Sequence, residues 1–101
     1  MEETLLQFYI RLAKTGTRDS VDEIMRHLNK SISIGESKFI DYALGLVETV
    51  AGIAAIEHYL FHGTQMQRNY CALYFGRLGE YSIVRKAFEL GLVDEKQAFS
   101  R

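Results

Sequence analysis

No proline occurs in this 101-residue chain, so backbone chemistry forbids helix nowhere along it. There is one cysteine, Cys71, which has no internal partner for a disulfide, and no cluster of thiols suggests a zinc framework. An excess of one charge is also missing. Twelve basic and thirteen acidic side chains leave a net charge of −1 and form no block of like sign. The chain therefore carries no nucleic-acid arm and no polybasic membrane patch. Nor is there a long hydrophobic run. The most apolar stretch, about 39 to 61, is interrupted by Asp41, Glu48, Glu57 and His58, which a bilayer core would make costly. The opening residues, MEETLLQFYIRLAK, set acids ahead of the apolar residues, the reverse of a signal peptide. These absences imply a soluble, cytoplasmic protein with no membrane partner.

What is present is enough for a core. Apolar residues make up 48% and aromatic residues 12%, while the 25% charged share is that of an ordinary globular chain. One domain over 1–101 is the simplest organisation. So small a domain hides a smaller share of its surface than a large one does, which favours a partner or self-association.

Glycines and capping residues supply the punctuation. Leu5, Leu6, Phe8, Tyr9 and Leu12 have helical spacing over about 2–14, and Gly16 falls where a left-handed cap would end that helix. Ser20 and Glu23 have capping-box spacing, which predicts a second helix opening there and fading at NKSISIG, with Gly35 as its stop. The next helix starts near Glu36–Ser37 and reaches Phe61. A division near Gly52 gives two lengths close to the ordinary average. Gly63 closes that stretch, and Thr64 with Gln67 forms another capping box. Helices to Leu78 and from Glu80 to Leu90 end at Gly79 and Gly91, and Asp94 with Gln97 opens a last short one. The weak alternation in KSISI is discounted as a strand. The expected fold is all-α: consecutive antiparallel helical hairpins, as a short α-solenoid or a compact multi-helix bundle.

In IAAIEHYLFHGTQMQRNYCALYFGRLGEYSIVRKAFELGLVDEKQAFSR, residues 53–101, a helix and a small turn precede a helix with Arg68 near its start. Ala72 and Leu78–Gly79 follow, then a second apolar helix with Val84, Ala87 and Leu90. This half resembles a HEAT-type α-helical repeat. It departs from the pattern where GT stands in a turn that often holds aspartate, and in the bulk of Tyr74 and Phe75. The resemblance implies a scaffold for binding other molecules and carries over no catalytic residue.

Four candidate sites remain. His58 and His62, at i and i+4, share a helix face opposite Ile53, Ile56 and Leu60, so they are expected to be accessible. Zinc would want further ligands, for which Cys71, Glu57 and His27 are the donors at hand. EHYLFH is not the metalloprotease motif, because its glutamate precedes the first histidine. A solvated pair is the preferred reading, with neither metal nor cofactor assigned. Cys71, set in an apolar helix beside Ala72, reads as a small buried hydrophobe, not a reactive thiolate. The glycines Gly45 and Gly52, with Thr49, suggest a small-residue strip where a neighbouring helix comes close. No serine, histidine and acid fall in a recognised catalytic motif, so no catalytic residue is assigned.

Aromatic residues crowd positions 59 to 81, among Arg68, Arg77, Arg85 and Lys86, with Glu80 as the one acid between 65 and 86. Stacking of single-stranded nucleic acid is the alternative this raises. The preferred reading is a non-enzymatic interaction or scaffold module. Tyr70, Tyr74, Arg77 and Tyr81 are its expected contact residues, because tyrosine and arginine anchor protein interfaces, and a second copy of the chain is one candidate partner.

Overall fold

The computed structural model describes residues 2–96, and these form α-helices with no strand among them. The order is α1 (Leu5–Thr15), α2 (Arg18–Arg26), α3 (Ile34–Leu44), α4 (Val50–His62), α5 (Gln65–Arg77) and α6 (Tyr81–Glu89). The all-α expectation holds. None of these helices is long and apolar enough to cross a membrane. The chain divides into two compact units, Met1–Ala55 and Ile56–Arg101.

In the first unit, Thr4 opens α1 with a capping box. Its hydroxyl accepts from the Gln7 N–H at 3.1 Å, and the Gln7 side chain accepts from the Thr4 N–H at 2.8 Å. α1 ends as expected at Gly16, whose φ of 64° is left-handed. The start of α2 differs from the expectation. Thr17, not Ser20, is the cap: Thr17 Oγ1 accepts from the Ser20 N–H at 3.1 Å, and the Ser20 hydroxyl turns back to the Thr17 carbonyl at 2.9 Å. Gly16 reverses the chain so sharply that the next residue already offers an acceptor, and the helix begins almost a turn early.

Gly35 is likewise not a stop. Ser33 caps α3 by accepting from the Glu36 N–H at 3.0 Å, which places Gly35 inside the first turn. The stretch from 36 to 62 does divide into two helices, but between Leu44 and Val50, ahead of Gly52. A tertiary tie sets the break. Thr49 Oγ1 accepts from the Gly52 N–H at 3.0 Å, as an N-cap does, and donates to the Gly16 carbonyl at 2.5 Å. Gly45 and Gly52 therefore share no helix face: Gly45 caps the end of α3. Gly52 does need its missing side chain, since a Cβ there would lie 2.5 Å from Val47 Cγ1 and 3.1 Å from the Gly16 carbonyl. α1 packs on both α2 and α3. The fully buried side chains there include Tyr9, Ile24, Met25, Ile40 and Leu44. Each large aliphatic side chain removed from water contributes about 1.5–3 kcal/mol.

In the second unit the boundaries follow the sequence signals closely. The Gly63 N–H donates to the Tyr59 carbonyl at 2.9 Å, and Thr64 and Gln67 form the expected capping box on α5. Gly79 and Gly91 have φ of 79° and 76° after α5 and α6. α5 packs on α6, with Cys71, Ala72, Tyr74, Phe75, Val84 and Ala87 buried. Gln97 and Phe99 of the expected final helix lie outside the described residues.

Candidate functional site

The contact residues expected in the second unit part company. Tyr74 is 4% exposed, its ring edge-on to Phe75 with centroids 5.1 Å apart. This corrects its assignment to a partner surface: the face of α5 it shares with Cys71 and Phe75 is buried, because a helix apolar around most of its circumference still turns its bulkiest residues inward. Tyr70 is half-buried. Arg77 and Tyr81 are exposed, Tyr81 at 47%, and they flank exposed Leu78 where α5 gives way to α6.

The basic residues considered for nucleic acid are divided as well. Arg68 is committed inside the unit. Its Nε donates to the Leu92 carbonyl at 2.7 Å, Nη1 to the Gly63 carbonyl at 2.7 Å and Nη2 to Gln65 Oε1 at 2.8 Å. One side chain thus fastens the loop after α6 to the start of α5, a role a planar five-donor guanidinium fills well. Lys86 Nζ stands 5.7 Å from the centre of the Phe61 ring. Arg77 and Arg85 are exposed. With Tyr74 and Phe75 buried and the rings at 59, 61 and 70 half-buried, Tyr81 is the most open ring of this group.

His58 and His62 are both exposed on α4, their ring centroids 4.8 Å apart and their planes inclined by 33°. Among the described residues no group of three or more histidine, cysteine or acidic side chains comes together to enclose a metal ion. Cys71 is wholly buried, and burial pushes its thiol well above the usual range. It is a packed hydrophobe at neutral pH, with no thiolate to offer.

Two features escaped the sequence reading, both in the first unit. One is a polar cluster joining α1, the end of α2 and the start of α3. The hydroxyl of fully buried Tyr9 donates a short hydrogen bond to Glu36 Oε2. His27, the residue capping the end of α2, has Nε2 3.2 Å from Glu23 Oε2 and Nδ1 3.8 Å from the same Glu36 oxygen. The rings of Phe8 and Tyr9 meet the imidazole edge-on at 5.9 and 5.5 Å. Burial and the adjoining Glu36 carboxylate push the Tyr9 phenol far up, so it keeps its proton and acts as a fixed donor. Glu23 is held below the usual carboxylate range, first by the Arg26 guanidinium. Residues 27 and 36 flank a loop, and no local motif announces that they meet.

The other feature is the outer face of α3. Ser37, Ile40, Ala43 and Leu44 are buried, whereas Ile34 is 78% exposed, Tyr42 59% and Phe39 37%. At about 100° per residue these three fall on one side with Lys38. The same periodicity was present in the sequence. A helix begun at Glu36 leaves Ile34 off that face, and only the Ser33 cap brings it on.

No protein-family model matches the chain, and neither a curated protein nor a solved structure matches it.

Proposed function

We propose that this chain is a non-enzymatic helical interaction module that docks a protein partner on the outer face of α3. The carrying observation is the trio Ile34, Phe39 and Tyr42, three large apolar side chains left in water around one cation, Lys38. Scattered exposed hydrophobes are ordinary; three on one short helix face form the core of an interface patch. The Lys38 ammonium, with partly exposed Asp41 bordering the face beside Ile34, favours a partner that presents apolar side chains around an acidic group, since a like charge set against it costs affinity. The resemblance of 53–101 to a HEAT-type repeat supports a binding scaffold in the same sense, and exposed Arg77, Leu78 and Tyr81 offer a second, smaller contact.

The test is a concentration series of the full chain by sedimentation velocity, paired with affinity capture and mass spectrometry. Both are repeated with Ile34→Ser/Tyr42→Ser. The expected outcome is a complex, with a second copy or another protein, that the double substitution weakens by at least tenfold while helicity is unchanged. A complex indifferent to the substitutions overturns the assignment to α3. Tight binding of a labelled single-stranded oligonucleotide that falls steeply with added salt would replace the reading altogether.

A further inference from the structure

We infer that His58 and His62 form an open two-imidazole chelate for a late first-row transition-metal dication such as Zn2+, Ni2+ or Cu2+. The spacing of four residues on α4 sets the rings side by side with centroids 4.8 Å apart. An ion bound by both would sit about 2.0–2.1 Å from one nitrogen of each ring. Rotation about the side-chain bonds covers that difference: both side chains are exposed, and exposed rotamers interchange within nanoseconds. Among the described residues neither imidazole is held in a hydrogen bond or an ion pair. The approach is open toward the start of α4, where Ala54 and Ala51, one and two turns back, are small and exposed; on the flank the Tyr59 ring meets His58 edge-on with centroids 5.7 Å apart.

The other nitrogen and sulfur donors named above are occupied. His27 faces the carboxylates of Glu23 and Glu36, and Cys71 is buried with its thiol protonated. Neutral imidazole is a borderline ligand that suits zinc, nickel and copper and leaves magnesium and calcium to oxygen ligands. With no third protein ligand gathered among the described residues, the remaining coordination positions belong to water or to a group brought by another molecule. That makes the pair an exchangeable surface chelate, unlike a closed structural zinc site, and it is independent of the docking face on α3.

The experiment is a calorimetric titration of the untagged full chain with Ni2+ and, separately, Zn2+, with Mg2+ as the negative control. His58→Gln, His62→Gln and His27→Gln chains are run alongside. One ion per chain is expected, or one per two chains if the coordination is shared between copies. Either histidine of the pair, when replaced, should weaken binding by more than the 10–100-fold that even an outer partner of a metal ligand is worth. His27→Gln should leave it unchanged, and all variants should keep the parent circular-dichroism spectrum. Absence of Ni2+ and Zn2+ binding, or binding that survives both His58→Gln and His62→Gln, overturns the inference. Loss of binding in His27→Gln alone would move the site to α2 and overturn it equally.

Discussion

The two units hold themselves together by different means. In Met1–Ala55 separate side chains share the ties: Tyr9 to Glu36, His27 between the carboxylates of Glu23 and Glu36, and Thr49 to the carbonyl of Gly16. In Ile56–Arg101 the described polar ties span comparable lengths of chain, 24 residues from Arg68 to Leu92 and 27 from Gln65, but they gather on Arg68, which fastens Leu92 and Gly63 to the opening of α5. The helix ends differ between the units as well. Gly79 and Gly91 are left-handed glycines in open space, with nothing within 4 Å of an added Cβ. Gly16 is left-handed too, but a Cβ there would lie 2.6 Å from both Thr49 Oγ1 and Cγ2. A glycine can thus be a local stop or a tertiary contact, and only the second kind ties one part of a fold to another.

Gly16→Ala against Gly79→Ala is the sharpest way to break that contrast. Both place a side chain at positive φ, which costs about 1–2 kcal/mol. Gly16→Ala must also displace Thr49, an overpacking cost of about 1–3 kcal/mol. Urea denaturation should therefore show about 2–5 kcal/mol lost at Gly16 and only the backbone part at Gly79. Equal losses would mean that the Thr49 contact relaxes freely.

Arg68→Met comes next. It keeps the stem and removes the donors to two carbonyls and Gln65, so it should destabilise the second unit by about 1–3 kcal/mol. Hydrogen exchange should quicken at the start of α5 and around Leu92, while amides of α1 to α3 keep their protection.

Tyr9→Phe deletes the donor to Glu36 without altering the ring, for a loss of about 1 kcal/mol. It should also change the alkaline limb of the stability curve. The folded-state phenol titrates above its unfolded value, so its contribution is complete below the ordinary tyrosine value of about 10 and is lost as pH rises beyond it. Thermal melts above that pH should fall more steeply for the parent chain than for Tyr9→Phe. Glu23 works in the other direction: its depressed value gives a contribution present at neutral pH and lost on acidification, small because the Arg26 pair is exposed. Ile34→Ser marks the bottom of the scale. Its side chain is already in water, so stability should stay within about 0.5 kcal/mol of the parent.

The all-α class, the left-handed stops at Gly16, Gly79 and Gly91, the Thr64 capping box and the accessibility of His58 and His62 were legible in the residues. Each is decided within one or two helical turns, by a glycine that tolerates positive φ, a hydroxyl that reaches an unpaired N–H, or the 100° step of the helix. The positions that misled include one decided next door and others decided by distant chain. Ser20 has the spacing of a cap, yet Thr17 follows the Gly16 reversal and takes that place. The break before α4 falls at Thr49 because its hydroxyl finds the Gly16 carbonyl 33 residues away. Tyr74 has the chemistry of an anchor and is core, whereas Ile34 and Tyr42, to which the sequence assigns no role, stay in water. Most helix ends and all helix faces are local properties of the chain, the start of α4 being the exception. Which face is covered, and which glycine is crowded, depends on what the rest of the chain brings alongside, and that is set only once the helices pack.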